Sequence, residues 1–218
     1  MRPTKVKICG IRSSETLDAA LAAGADYVGL VFFPPSPRYL TPAEAAPLAK
    51  AARGRTLSVA LVVDADEALL DVLVRDVAPD LLQLHGMETP DRVQAIARRY
   101  SLPLIKAISV ASVADAERAA LYRPHCRLIL FDAKPPPSPA WGDGPLPGGN
   151  GIPFDWRHLE TVEHEHPFML SGGLTPANVA AAVDLTGADI VDVSSGVETT
   201  PGVKSPDLIR DFIQAAKQ

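Results

Sequence analysis

Eight short apolar runs, near residues 5–9, 27–32, 57–63, 80–84, 103–108, 127–131, 167–170 and 189–193, alternate with stretches of helical periodicity near 14–23, 42–52, 66–76, 90–99, 112–119, 155–161, 176–185 and 206–216. No other feature narrows the fold as far. Strands separated by helices cannot pair through tight antiparallel hairpins, so parallel pairing with right-handed crossovers is expected. Eight such units in 218 residues fit closure into one α/β domain, a (β/α)8 TIM barrel spanning 1–218, better than an open sheet.

The punctuation agrees. Thr41-Pro42, Thr89-Pro90, Thr175-Pro176 and Ser205-Pro206 each put a capping hydroxyl before a proline suited to the first helical position, and Thr41 with Glu44 fits a capping box. Leu21 to Val28 and Leu185 to Val191 each read as a helix stopped by glycine, then Ala-Asp leading into a strand. One region breaks the pattern. Residues 132–153 are too long for a βα connection and too rich in Pro and Gly for regular structure; a loop leaving the sixth strand should rise from the active-site face as a lid.

A net charge of -5 and the lack of a basic run argue against nucleic acid or an anionic membrane as partner. There is no signal-peptide pattern and no membrane-spanning run, so a cytoplasmic protein is expected. Cys9 and Cys126 fall at opposite ends of strands and should not form a disulfide.

Two late turns read as a seat for an anion. Phe168-Met169-Leu170 runs into Ser171-Gly172-Gly173, and Ile190 to Val193 runs into Ser194-Ser195-Gly196. Glycines there allow positive φ and close backbone approach, and in a barrel the turns after strands seven and eight commonly close around one phosphate. A small phosphorylated substrate is therefore the expected partner.

Catalytic side chains in such a barrel come from the C-terminal ends of strands. The polar residues there are Cys9, Arg38 on the loop after the second strand, Asp64, Gln83, His85, Lys106 or Ser109, Asp132, and Asp192 with Ser194 and Ser195. Only His85 among the five histidines falls at that end, so no metal site assembles, and no dinucleotide fingerprint follows the first strand; neither metal nor cofactor is expected. What is left is a pair. Cysteine is a competent base if a positive neighbour lowers its pKa, and aspartate is a general acid if burial raises its own. Asp132 ends the apolar run Ile129-Leu130-Phe131, where a carboxylate is costly unless used or paired. Acid and base across a phosphorylated ligand suit proton-transfer isomerisation.

Lys7-Ile8-Cys9-Gly10, Gly29 to Phe32 with Ser36-Pro37-Arg38, Leu82 to Gly86, Phe131-Asp132 before a Gly-Gly-x-Gly loop and Phe154-Asp155-Trp156, Ser171 to Leu174, and Val191 to Glu198 together resemble the phosphoribosylanthranilate isomerase family of tryptophan biosynthesis, in order along nearly the whole chain. The resemblance implies a metal- and cofactor-free Amadori rearrangement of N-(5-phosphoribosyl)anthranilate to the 1-deoxyribulose phosphate. It implies that Asp132 protonates the ribose ring oxygen, that Cys9 removes the C2 proton, and that Arg38 binds the anthranilate carboxylate. It also implies phosphate binding by backbone N–H groups of Gly149, Gly151, Gly173 and Gly196, with Gly172 and Ser195 close by and Asp192 supporting the aminosugar. The stretch between Lys134 and Pro147 is longer than the family pattern. Two alternatives share the phosphate seat: another sugar-phosphate isomerase or indole-forming synthase, and a noncatalytic sensor on the same barrel.

Overall fold

In the computed structural model, which describes residues 4–134, 148, 154–159 and 166–218, eight parallel strands close into a barrel in chain order. They are β1 (Lys5–Cys9), β2 (Tyr27–Val31), β3 (Leu57–Val62), β4 (Leu81–Leu84), β5 (Leu104–Val110), β6 (Leu128–Ala133), β7 (Phe168–Leu170) and β8 (Ile190–Val193), with β8 pairing back onto β1. The expected TIM barrel is what forms. No helix among the described residues is long and apolar enough to cross a membrane.

Period-2 alternation divides each strand. Val6, Ile8, Val28, Leu30, Leu82 and Leu84 face outward and pack under the helices. Tyr27, Val59, Leu81, Ile105, Leu128, Leu130, Met169 and Ile190 face inward and form an apolar plug. Above the plug the inward positions turn polar, and this is what makes the C-terminal end of the barrel a site.

The helices are α1 (Ser14–Ala23), α2 (Pro42–Ala52), α3 (Glu67–Val72), α4 (Pro90–Tyr100), α5 (Val113–Glu117), α6 (Val179–Thr186) and α7 (Pro206–Ala216). Thr41, Thr89 and Ser205 cap α2, α4 and α7 as their Thr-Pro and Ser-Pro pairs predict, and the Thr41–Glu44 capping box is complete. Gly24 and Gly187 stop α1 and α6 in the left-handed conformation.

Three expectations are corrected. Thr175 does not cap a helix starting at Pro176: α6 begins at Val179. The cause is Asn178, whose side chain accepts from the Thr175 N–H (2.7 Å) and donates to the Gly173 carbonyl (3.0 Å), so 176–178 form a turn. The described part of the stretch expected as a helix over 155–161 is a 3₁₀ turn, Trp156–Leu159, where Asp155 Oδ1 accepts from the Arg157 N–H (3.1 Å). After β8 comes a hairpin absent from the sequence reading, β9 (Glu198–Thr200) with β10 (Val203–Lys204). Of the irregular stretch expected over 132–153, Asp132 and Ala133 belong to β6, Lys134 and Gly148 are also described, and Gly149 and Gly151 lie outside the described residues.

Candidate active site

Strand parity decides which strand-end residues reach the mouth. Cys9 clusters with the inward residues Val31 and Leu61, and Asp132 shares the face of Leu130 and Leu128. The two proposed proton carriers therefore sit on inward positions at the same pole, on β1 and β6. Gln83 and Asp192 share that parity. Lys106, on the opposite parity from Ile105 and Ala107, does not: it donates to Glu88 Oε2 (2.9 Å) and to the carbonyls of Leu84 (3.3 Å) and Gly86 (2.9 Å), outside the barrel lumen.

Cys9 is a free thiol, 4 % exposed. Opposite it in register is Gly29, where an added Cβ would come 2.8 Å from Cys9 Sγ; only glycine leaves the thiol its space. Directly below, Lys7 is completely buried and donates to Asp192 Oδ1 at 2.9 Å, its register partner on β8. Burial pushes the Cys9 thiol up, Lys7 and Lys204 pull it down, Asp192 adds to the rise, and the balance leaves it above its ordinary value. The positive neighbours that a thiolate base requires are present, but burial outweighs them. For Lys7, burial works to lower the ammonium's pKa, and Asp192 with Cys9 more than reverse it.

Asp132 is 4 % exposed, and its Oδ1 accepts from the N–H of Ala133 (2.8 Å). Its Oδ2 lies 3.3 Å from His85 Nε2, whose Nδ1 is 2.9 Å from Gln83 Nε2. With the amide assigned that way round, Gln83 donates to Nδ1 and the ring proton sits on Nε2, facing the carboxylate. The alignment falls short of a hydrogen bond, and His85 Nε2 and Gln83 Oε1 are buried with no hydrogen-bond partner. A Cβ on Gly148 would come 2.8 Å from Asp132 Oδ2 and 2.6 Å from His85 Nε2, so Gly148 lies immediately against the carboxylate.

The two glycine turns meet. Gly172 (φ +89) and Gly173 (φ +65) adopt the left-handed region, and a Cβ on Gly172 would strike the Ala133 N–H at 2.8 Å. The first turn is thereby wedged against the residue after Asp132. At Gly196 an added Cβ would collide with the Leu174 carbonyl, so the second turn is in backbone contact with the first. Ser194 Oγ donates to the Cys9 carbonyl (3.2 Å), which fixes that turn to the end of β1. Ser195 opens the 3₁₀ turn Ser195–Val197.

Arg38 is buried and lays its Nε and Nη2 on Glu198 Oε1 and Oε2, both at 2.8 Å. Lys204 Nζ reaches Glu198 Oε1 (2.7 Å) and the Ser194 carbonyl (2.9 Å). Burial acts to raise the Glu198 carboxyl, but Arg38 and Lys204 hold it below its usual range. In Lys204 burial prevails over Glu198 and lowers the ammonium.

Sequence reasoning singled out neither Lys7, Glu198 nor Lys204. Lys7 left a signal, a lysine inside an apolar strand on the same face as Cys9. Glu198 closes the Val191 to Glu198 motif but was given no role there, and Lys204 left no signal, since an exposed hairpin would read the same way. Among the described residues no group of three or more His, Cys, Asp and Glu is arranged to hold a metal ion.

A family model described as N-(5'phosphoribosyl)anthranilate (PRA) isomerase matches residues 6–215. The chain is 53% identical over 215 residues to N-(5'-phosphoribosyl)anthranilate isomerase of Paramagnetospirillum magneticum, covering 99% of this chain and 98% of that protein. It resembles the crystal structure of phosphoribosyl anthranilate isomerase from Thermotoga maritima with TM-score 0.84 and 38% identity over 98% of each chain. A solved structure of such an enzyme in complex with reduced 1-(o-carboxyphenylamino)-1-deoxyribulose 5-phosphate matches with TM-score 0.83 and 36% identity, again over 98% of each chain.

Proposed function

Because the chain belongs to the N-(5'-phosphoribosyl)anthranilate isomerase family, we propose that its reaction runs between Asp132 as general acid and Cys9 as general base at the mouth of the barrel. The protein is an isomerase of tryptophan biosynthesis. Its substrate on this reading is N-(5-phosphoribosyl)anthranilate, and the bound compound of the solved relative supports a ketose product carrying the carboxyphenylamino group.

Asp132 gives its proton to the ribose ring oxygen, the C1–O bond breaks, and the anthranilate nitrogen supplies the electron pair of a Schiff base. Cys9 as thiolate then takes the C2 proton, and the resulting enolamine tautomerises to the ketone. Arg38, held flat by the Glu198 carboxylate, presents a planar fork to the anthranilate carboxylate. The glycine turns at 172–173 and 195–196, with Gly149 and Gly151, cradle the phosphate, and Asp192 supports the aminosugar hydroxyls. No metal or cofactor enters these steps. A cytoplasmic location follows from the biosynthetic role and is checked by cell fractionation.

One observation carries this reading: Cys9 and Asp132 occupy inward positions at the pole where Gly172 packs on Ala133, so a phosphate on that turn lies beside the acid. The test adds purified protein to freshly made phosphoribosylanthranilate and follows the loss of its fluorescence, with Cys9→Ser and Asp132→Asn in parallel. Wild type should consume the substrate and both variants should be slower by about 10²–10⁴-fold, the usual worth of a positioned acid or base. Equal turnover in all three would refute the assignment, and no turnover in wild type would refute the substrate.

A further inference from the structure

We propose that Lys7 is a positioning residue for the Cys9 base, its buried ammonium providing the counter-charge that lets the thiolate exist inside the barrel. The inference rests on Cys9 acting as the base. Lys7 and Cys9 are two residues apart on β1 and share the inward face, and Lys7 sits across the ladder from Asp192. Moving the ammonium away would require a slip of the barrel register. Lys7 is wholly buried, and its ammonium donates to Asp192 Oδ1 and lies within hydrogen-bonding reach of the Cys9 thiol. A charge buried that deeply is costly to fold, and one held between a carboxylate and a thiol points to a use.

The group above it is the Cys9 thiol. Three charged groups bear on that thiol: Lys7 from its own strand, Asp192 from β8 and Lys204 from β10. The remaining packed neighbours, Gly29 and Val31 on β2, Leu61 on β3 and the adjoining Phe33 and Val63, carry no charge. Lys204 is engaged by Glu198 and the Ser194 carbonyl and acts on the thiol only at a distance, which leaves Lys7 as the cation within hydrogen-bonding reach of it. When Cys9 takes the substrate C2 proton its charge disappears, and Lys7 remains neutralised by Asp192. The charge pattern thus tolerates both protonation states of the base.

The test measures the rate of Cys9 alkylation by iodoacetamide against pH in a Cys126→Ser background, by mass spectrometry of the Cys9 peptide. Cys126 is no rival thiolate in any case, because burial pushes it up to about 12. Lys7→Met should move the alkylation curve to higher pH by about one unit or more, slowing the reaction about tenfold at any pH below the midpoint. Lys7→Arg should restore most of the rate. Asp192→Asn, which deletes the opposing carboxylate, should move the curve the other way. An unmoved curve in Lys7→Met overturns the proposal; if that variant does not fold, an unmoved or upward-shifted curve in Asp192→Asn does so. A purely structural lysine would change the unfolding midpoint and leave the curve in place. If Cys9→Ser turns over like wild type, it is the catalytic reading that fails, whatever the alkylation curves show.

Discussion

Two of the buried lysines, Lys7 and Lys106, lie on barrel strands 2.9 Å from a carboxylate, and their surroundings differ. Lys106 points out of β5 and fills its donors with Glu88 and two main-chain carbonyls, while the Tyr122 ring lies 5.7 Å from its Nζ. Glu88 in turn accepts from the N–H groups of Asp64 and Gly86, so this pair locks the loop after β4. Lys7 points inward, where its partners are the Asp192 carboxylate and the Cys9 thiol. Burial and pairing are common to both, and neither property separates scaffold from site. The kind of partner does, because Lys106 bonds only a carboxylate and main-chain carbonyls whereas Lys7 also faces a thiol, a group whose charge can change.

The sharpest way to break the contrast begins at the reacting atoms. Cys9→Ser and Asp132→Asn should cost about 10²–10⁴-fold in kcat with circular dichroism unchanged. Next comes Lys106→Met, expected to lower the unfolding free energy by about 3–5 kcal/mol through the stranded Glu88 charge, while kcat of the folded fraction stays at the wild-type level. Urea unfolding with parallel turnover assays reads both quantities. Lys7→Met should also lose stability, through the stranded Asp192 charge, but unlike Lys106→Met it should lower kcat of the folded fraction by about tenfold or more by shifting the base to higher pH, an effect worth about 1.4 kcal/mol per unit. Equal losses of kcat in the two folded lysine variants would erase the distinction.

The smallest effect concerns Glu198. Its carboxyl is held below its usual range, so its stabilising contribution is fully present above the unfolded-state value of about 4.3 and is lost as pH falls through the lower folded-state value. The stability gap between wild type and Glu198→Gln should accordingly be constant from near neutrality down to about pH 5 and shrink below about pH 4. A gap that widens on acidification would show that Arg38 and Lys204 do not hold that charge. With Arg38 left unoriented, the same variant should also raise KM more than it lowers kcat.

Much of the architecture was legible because it is written in short periods. Alternation of apolar runs and helical stretches marks eight βα units, strand-end position places Cys9 and Asp132 at one pole, and Thr41, Thr89 and Ser205 announce helix starts through local hydrogen bonds. Thr175 misled for an equally local reason, since the competing side chain of Asn178 takes the backbone groups a cap would need. Lys106 misled because a strand end admits either parity. The paired glycines after β7 and β8 were visible as turns, but their mutual contact required the strands to be neighbours.

What only closure of the barrel decided is which charges meet. Lys7 and Asp192 are 185 residues apart and Arg38 and Glu198 are 160 apart, and no local pattern encodes their encounter. It follows from the register at which the last strand pairs with the first, and from a hairpin after β8 that carries Glu198 and Lys204 over the mouth. Composition and periodicity determined that a thiol and a carboxyl would share a pole. The electrostatic setting of that thiol, beside a buried ammonium and its carboxylate, is a property of the assembled barrel, because Coulomb interactions depend on distance in space and on the water excluded when the wall closes.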